Sequence, residues 1–458
     1  MFRQQPAQEV ISLLETTFVL SLFYCLVDIG KFNIMDSSHF LSGQKIVVAG
    51  AGIASLAFAI ALRRQWPSTC DHPTMVIYER ETHENIVGRE GYSMSLRSDA
   101  PGGVQALQKL GILDQMLDVC ISTADGNQPA GFCIWDKDGK EIFKIRAKVP
   151  PGLAVGGMRI RRSKMRTVLI QAAREAGCEI IWNTGCSSAV RREDGKLEIQ
   201  LSNDRIDVCD LLIAADGANS KIRATLRPSD PLVFRGLCVI GATSRFTTAP
   251  PQPVNRDWGI VISGRGAGLF MSPVDSCSAL WSISYRSNQP QERKKMPLSK
   301  EQVEDLMAQA RKYVPQFPPI FEELLNATDI STLNAFNAQD KEPFRHTDPA
   351  FPDVIFIGDA NHAVTPFAGN GANMALCDGW DLAHLLCVSS SAREAITRYD
   401  ELVEPRSRKV WKQSHFNMDV GHSTGLKMWL YMLFLRIVFF LFFKDKVTLT
   451  RSGTGTDG

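Results

Sequence analysis

One stretch constrains the fold more than any other: Lys45-Ile-Val-Val-Ala49, then Gly50-Ala51-Gly52-Ile53-Ala54-Ser55. The apolar, β-branched run reads as a buried strand, and Ile53 to Arg64 reads as an apolar helix with a charged tip. A strand that passes into a helix through two glycines begins a parallel α/β unit. Gly50 permits the tight turn. Gly52 lets the backbone approach a pyrophosphate at the helix N-terminus, where unpaired N–H groups and the helix dipole favour an anion. The third position of this fingerprint is Ser55 rather than glycine, still small enough for the helix to pack on the strand. Met75 to Tyr78 reads as the adjacent parallel strand, and Glu79 closes it with a carboxylate that can accept from a ribose hydroxyl. Glu79 follows Gly50 by about 30 residues instead of the usual ~20, because the loop from Gln65 to Pro73 is long. Together these residues point to an adenine dinucleotide, with FAD and NAD equally open.

The chain has 458 residues, enough for two or three packed units at roughly 150 residues each. A net charge of +2 without a basic stripe argues against a nucleic-acid binder. The eleven cysteines are scattered, with no C-x-x-C pair and no Cys/His cluster at zinc spacing, so no metal site is expected. This usage suits reduced thiols and a cytoplasmic setting. Asp138-Gly139 and Asp194-Gly195 each sit between β-rich runs and read as hairpin turns. Leu211 to Ala214 is a further apolar strand, 232–287 is strand-like and dense in aromatics, and Lys300 to Val314 is helical. Parallel-type strand returns at Val354. The expected fold is therefore a Rossmann-like α/β domain with a discontinuous, sheet-rich substrate domain and C-terminal helices. The first part of the nucleotide domain is assigned to 44–231, the substrate domain to 232–335, and the returning part with a C-terminal helix to 336–427.

Both ends depart from this plan. Residues 1–43 read as an N-terminal extension. Thr16 to Val27 is uncharged and mostly apolar but short for a span and poorly flanked for a signal peptide. Met35 would make an ordinary start, so the first 34 residues are either a weak anchor or an upstream extension. Met428 to Phe443 is apolar on every side apart from Arg436, ahead of a polar tail to 458. A helix of that kind is buried in protein or in lipid, and its length suits a membrane-surface contact better than a crossing.

A second glycine-rich stretch decides the cofactor: Gly358-Asp-Ala-Asn-His-Ala-Val-Thr-Pro-Phe-Ala-Gly-Asn-Gly-Ala-Asn373, after the apolar run Val354 to Ile357. Between the two lies Asp210-Leu-Leu-Ile-Ala-Ala-Asp216-Gly217-Ala-Asn-Ser220-Lys-Ile-Arg223. These three segments, in this order over Lys45 to about Arg406, resemble the FAD-dependent aromatic hydroxylase family of the para-hydroxybenzoate hydroxylase type, and most of all its tetracycline-inactivating branch. The resemblance implies that Glu79 and Arg80 serve the adenosine end of FAD. It assigns the ribityl chain to Asp359 and the flavin ring to the loop at Pro366, Gly369, Gly371 and Ala372. Gly369 and Gly371 carry no Cβ, so backbone can approach the ring closely. The helix starting near Ala372 aims N–H groups at the pyrimidine edge and stabilises negative charge there. Arg162 corresponds to a family arginine near the flavin, with Arg161 as the competing register. Ser95 corresponds to a backbone contact with the cofactor. Asp216 corresponds to a contact that serves FAD and the nicotinamide cosubstrate. His362 is read as a structural residue.

The implied activity is that of a monooxygenase. NADH or NADPH reduces the flavin, and one oxygen atom of O₂ passes to an electron-rich carbon of an aromatic or unsaturated small molecule, such as a secondary metabolite. No side chain is obliged to act as a nucleophile, and none is assigned as catalytic. A flavin halogenase is disfavoured because Trp281-Ser-Ile-Ser is no substitute for its Trp-x-Trp-x-Ile-Pro signature. A flavin-dependent reductase of prenyl chains would suit a membrane-contacting C-terminus. A nicotinamide dehydrogenase has no need of the Asp359 loop, and that intact loop weighs against a flavin module without chemistry.

Overall fold

The computed structural model describes residues 39–82, 92–123, 130–145 and 147–442. The N-terminal extension through residue 38 and the tail from 443 lie outside the described residues.

At the centre is a five-stranded parallel sheet in the order Val354–Phe356, Leu211–Ala214, Lys45–Ala49, Thr74–Tyr78, Glu179–Ile181. Its middle strands are buried on both faces, which is why they read as unbroken apolar runs. Alternate residues of Lys45–Ala49 serve different cores. Ile46 and Val48 pack with the helices Ile53–Gln65, Arg162–Glu175 and Gly371–Val388. Val47 and Ala49 pack with Ala189, Leu197 and Ile199 of a small antiparallel sheet and with Ile222 of the helix Lys221–Leu226. That sheet holds the hairpin turned by Asp194-Gly195, where Gly195 takes φ 82. The parallel order has a functional consequence. Gly50, Glu79, Asp216 and Gly358 all follow the carboxyl ends of neighbouring strands, the edge where open α/β sheets bind ligands.

The second body is a seven-stranded sheet in the order Asn334–Asp340, Val233–Arg245, Ser278–Arg286, Ala267–Asp275, Trp258–Ile262, Phe132–Trp135, Glu141–Ile145. Its pairings are antiparallel except Trp258–Ile262 with Phe132–Trp135. The sheet therefore does not follow the expected boundaries at 232 and 335. The hairpin turned by Asp138-Gly139, assigned to 44–231, is its outer edge, and Asn334–Asp340 carries it past 335. The cause is a long-range pairing: a Cβ at Gly259 would lie 1.8 Å from the Cys133 carbonyl oxygen, so only glycine admits the neighbouring strand. The helices Lys300–Arg311 and Ile320–Asn326 cover one face, with Leu306, Phe321 and Leu324 packed on Trp281 and Ile240. The first is started by a reciprocal Ser299/Gln302 capping box.

A three-stranded sheet, Ser93–Arg97, Gly157–Arg161 and Ser122–Thr123, lies between the two bodies. The 30-residue helix Ala392–Gly421 follows Gly371–Val388, and Gly425–Phe442 ends the described chain. Met428 and Met432 of this last helix pack against the small cluster of Ile134, Phe143 and Ile262 at the outer edge of the seven-stranded sheet. Leu426, Trp429, Leu430, Leu433, Phe434 and Ile437 stay exposed. Among its described side chains, the segment expected to be apolar all round is thus docked along one side. Among the described residues no helix is long and apolar enough to cross a membrane.

Candidate active site

The first glycine turn is shaped by its surroundings. Gly50 takes φ 94 and donates to the Tyr78 carbonyl at 2.7 Å. A Cβ there would stand 2.7 Å from the Ala215 carbonyl oxygen, so both conformation and space demand glycine. Gly52 caps the helix Ile53–Gln65 with backbone alone, and among the described residues no side chain satisfies the first N–H groups. Ser55 is fully buried and turns its hydroxyl back to the Gly52 carbonyl at 3.0 Å. Glu79 is buried beside the turn, accepting from the Ala51 N–H at 2.7 Å and the Glu81 N–H at 3.0 Å. Its carboxylate thus ties the turn to the end of the second strand. Arg166, not singled out from sequence, completes the arrangement by donating to the Ala51 carbonyl at 2.8 Å, 3.7 Å from Glu79. Arg80 is exposed beside Gly185, and among the described residues it makes no hydrogen bond or ion pair.

Asp216 accepts from the Lys221 N–H at 2.8 Å through one oxygen, while its other oxygen is buried without a partner among the described residues. Burial pushes its carboxyl up from the ordinary range. Arg223 bridges this segment to the second glycine stretch, donating to the Ala360 carbonyl at 2.7 Å and the Ala218 carbonyl at 2.5 Å.

Asp359 follows Gly358, whose φ of 58 makes the sharp exit from the strand. Its side chain is accessible, yet protein crowds around it, as at the floor of a cleft. That crowding raises its carboxyl, and the charges of His362 and Arg162 draw it back. Arg162 opens the helix Arg162–Glu175, with its guanidinium 5.7 Å from the Tyr92 ring. Arg161 turns instead to Asp275 of the seven-stranded sheet, at 3.6 Å. His362 is buried and meets Asp378 at 2.6 Å, as its structural reading anticipated. Asp378 also accepts from the Gly358 N–H at 3.0 Å and from Arg406 at 2.8 Å. Burial alone would raise the Asp378 carboxyl, but His362, Arg406 and the Gly358 N–H together hold it below its ordinary value.

Pro366 and Gly369 are exposed on a short turn, and Gly369 is left-handed at φ 63. Asn417 donates to the Phe367 carbonyl at 2.9 Å, and the Phe367 ring stands edge-on to His422 with centroids 5.4 Å apart. The helix Gly371–Val388 begins without a side-chain cap, and Gly371 and Ala372 are half-buried in its first turn. Asn373 anchors that turn to Ser95, donating to its carbonyl at 3.0 Å and accepting from the Arg97 N–H at 2.9 Å. Further along, a Cβ at Gly379 would lie 2.5 Å from the Ala54 carbonyl oxygen, so this helix and the glycine-turn helix cross in close contact. The two glycine-rich stretches are thereby one structural unit.

These residues fit FAD on their own geometry. Two helices start uncapped, the Asp216 and Asn370 side-chain oxygens are buried without partners among the described residues, and a Cβ at Gly369 or Gly371 would meet only open space. The chain is similar over most of its length to known proteins. The family described as FAD binding domain matches residues 104–414. Monooxygenase cfoF from Aspergillus candidus is 37% identical over 400 residues, covering 86% of this chain and 94% of its own. Salicylate hydroxylase from Pseudomonas putida is 24% identical over 394 residues, covering 81% and 85%. The solved structure of HpxO from Klebsiella pneumoniae with FAD and uric acid superposes with a TM-score of 0.68 at 19% identity, covering 87% and 94%, a likeness of fold. With the larger part of its length matched by that family and a monooxygenase relative at 37% identity, the chain belongs to the FAD-dependent monooxygenases of the aromatic hydroxylase family.

Proposed function

We propose that this monooxygenase uses NADH or NADPH and O₂ to hydroxylate or epoxidise an aromatic or otherwise unsaturated secondary metabolite held between the flavin and the seven-stranded sheet. The observation that carries the reading is the convergence of Gly50, Glu79, Asp216 and Gly358 on one edge of the parallel sheet, with the uncapped helix at Gly371 on the same unit. Bound FAD supplies hydride acceptance and oxygen activation. The chain's own residues bind and orient it. N–H groups after Gly52 take the pyrophosphate, and Ser55 lets the helix lie close behind them. Glu79 and Arg80 hold the adenosine end, and Asp216 and Asp359 accept from hydroxyls. Ser95 and Arg162 border the ring, while Pro366, Gly369, Gly371 and Ala372 bring backbone to its edge. The helix N-terminus there favours negative charge.

Relatives agree with an unsaturated ring substrate. Besides salicylate hydroxylase they include 2-heptyl-3-hydroxy-4(1H)-quinolone synthase of Pseudomonas aeruginosa and zeaxanthin epoxidase of Solanum lycopersicum. The test is the visible spectrum of purified protein, followed by aerobic NADPH addition with oxygen monitored. Flavin bands that bleach and return with oxygen uptake support the reading. Colourless protein that takes up no FAD refutes it, and anaerobic turnover of a prenyl chain would favour the reductase instead. A second element of the reading is a cytosolic enzyme resting on a membrane surface through Gly425–Phe442. Its exposed Leu426, Trp429, Leu430, Leu433, Phe434 and Ile437 form an apolar strip that suits an acyl boundary.

A further inference from the structure

The strand Gly157–Arg161 divides its side chains between two surroundings. Met158 and Ile160 enter the helix-covered core, while Arg159 and Arg161 face the seven-stranded sheet. Arg161 finds a carboxylate in Asp275. Among the described residues Arg159, only 2% exposed, does not. It donates to three neutral hydroxyls: Ser95 at 2.8 Å, and Ser93 and Ser272 at 2.5 Å each. Its guanidinium carbon lies 5.4 Å from the Trp258 ring centroid and 5.9 Å from that of Phe270. Its Nε is buried without a partner among the described residues. Burial pushes its pKa down to about 9, and among the described residues no carboxylate restores it. A buried cation that its own protein leaves unneutralised is costly, and such groups mark functional sites.

The location gives the charge a use. Ser95, which accepts from Arg159, is the residue whose carbonyl Asn373 holds at the start of the flavin-facing helix. Trp258, Phe270 and Ser272 belong to the seven-stranded sheet. Arg159 therefore stands at the junction of the flavin edge and the substrate sheet. It is not needed to join them, because Ser93 reaches across directly to Ser272 at 3.0 Å and to the Pro273 carbonyl at 2.7 Å.

We propose that Arg159 is the substrate-recognising cation of this enzyme, taking the ionised oxygen of an acidic unsaturated substrate (a phenolate, enolate or carboxylate) whose ring lies against Trp258 and Phe270. This rests on the monooxygenase reading above. A guanidinium fork with an unused donor matches an oxyanion, and charge-assisted hydrogen bonds are strongest where water is excluded. The flanking rings give a flat, apolar surface for the rest of the molecule.

The test uses FAD-loaded protein and two probes of one shape, salicylate and salicylamide, near neutral pH, with binding read by calorimetry. The expected result is a preference for salicylate of about tenfold or more in the wild type. Arg159→Met removes the preference, and Arg159→Lys, which keeps the charge without the fork, retains part of it. Equal binding of the two probes to the wild type, no binding of either, or a full preference surviving in Arg159→Met overturns the assignment. If the Met variant does not fold, Arg159→Lys decides, and an undiminished preference there overturns it. Flavin content is read separately. Protein without FAD refutes the monooxygenase reading, while FAD-loaded protein without the probe preference refutes only the role of Arg159.

Discussion

Replacing Gly371 by alanine separates what the fold requires from what the cofactor requires. Among the described residues a methyl group at this position meets no atom within 4 Å beyond its own chain neighbours and helix backbone, and the backbone is not left-handed there. Removing a glycine from a helix reduces the entropy lost on folding, which stabilises by about 0.5–1 kcal/mol where no strain results. The apoprotein of Gly371→Ala is thus expected to be as stable as the wild type, or slightly more so. With the flavin placed as proposed, the same methyl stands in its approach to the first helical turn. Forcing one extra methyl into a packed contact costs about 1–3 kcal/mol, equivalent to a roughly 5- to 150-fold loss of FAD affinity. Gly50→Ala is the contrasting control. Its φ of 94 and a Cβ only 2.7 Å from the Ala215 carbonyl oxygen penalise the fold itself. The left-handed backbone alone costs about 1–2 kcal/mol. The assay pairs thermal melts of flavin-stripped protein with FAD titrations followed by flavin fluorescence. A Gly371→Ala protein that binds FAD like the wild type, or whose apoprotein melts as early as Gly50→Ala, would refute the assignment of this turn to the flavin.

Two further outcomes are expected. Asp378 is held below its ordinary pKa, so it adds stability above the unfolded value of about 3.9 and loses it as pH falls through the lower folded value. Asp378→Asn should therefore cost about 3 kcal/mol near neutrality, a gap from wild type that closes below about pH 4 in urea titrations; a gap independent of pH would sink this account. Trp429→Ser combined with Phe434→Ser should abolish flotation with phospholipid vesicles while FAD stays bound, and unchanged flotation would count against the membrane contact.

Much of the site could be read locally. The turn at Gly50, the hairpins at Gly139 and Gly195 and the strands around Val47, Ile213 and Ile355 follow from short-range pattern, because turn geometry and burial on both faces leave marks within a few residues. The His362 partner could not be read that way. Asp378 looks like a stray charge in an apolar helix until Arg406, from the next helix, reaches it. The edge of the substrate domain was hidden for a similar reason, since pairing between Cys133 and Gly259 spans residues with no local signal of each other. Arg159 carries no local mark that sets it apart from Arg161 and Arg162. Strand alternation puts 159 and 161 on one face, but only the sheet packed opposite shows that one meets Asp275 and the other two aromatic rings.

The sequence alone determined the chemistry of the ends of the parallel strands, where glycine must turn the chain and where an acid must follow, while the choice of a flavin dinucleotide came from the resemblance of three separated segments to the aromatic hydroxylase family. The glycine and acid positions are properties of a few adjacent residues, and covalent neighbours enforce them. The tertiary structure decided which charges are neutralised and which are not, and which strands complete the substrate sheet. Charge compensation and sheet pairing depend on groups brought together across the whole chain, and the energy of a buried cation is set by what surrounds it rather than by what precedes it.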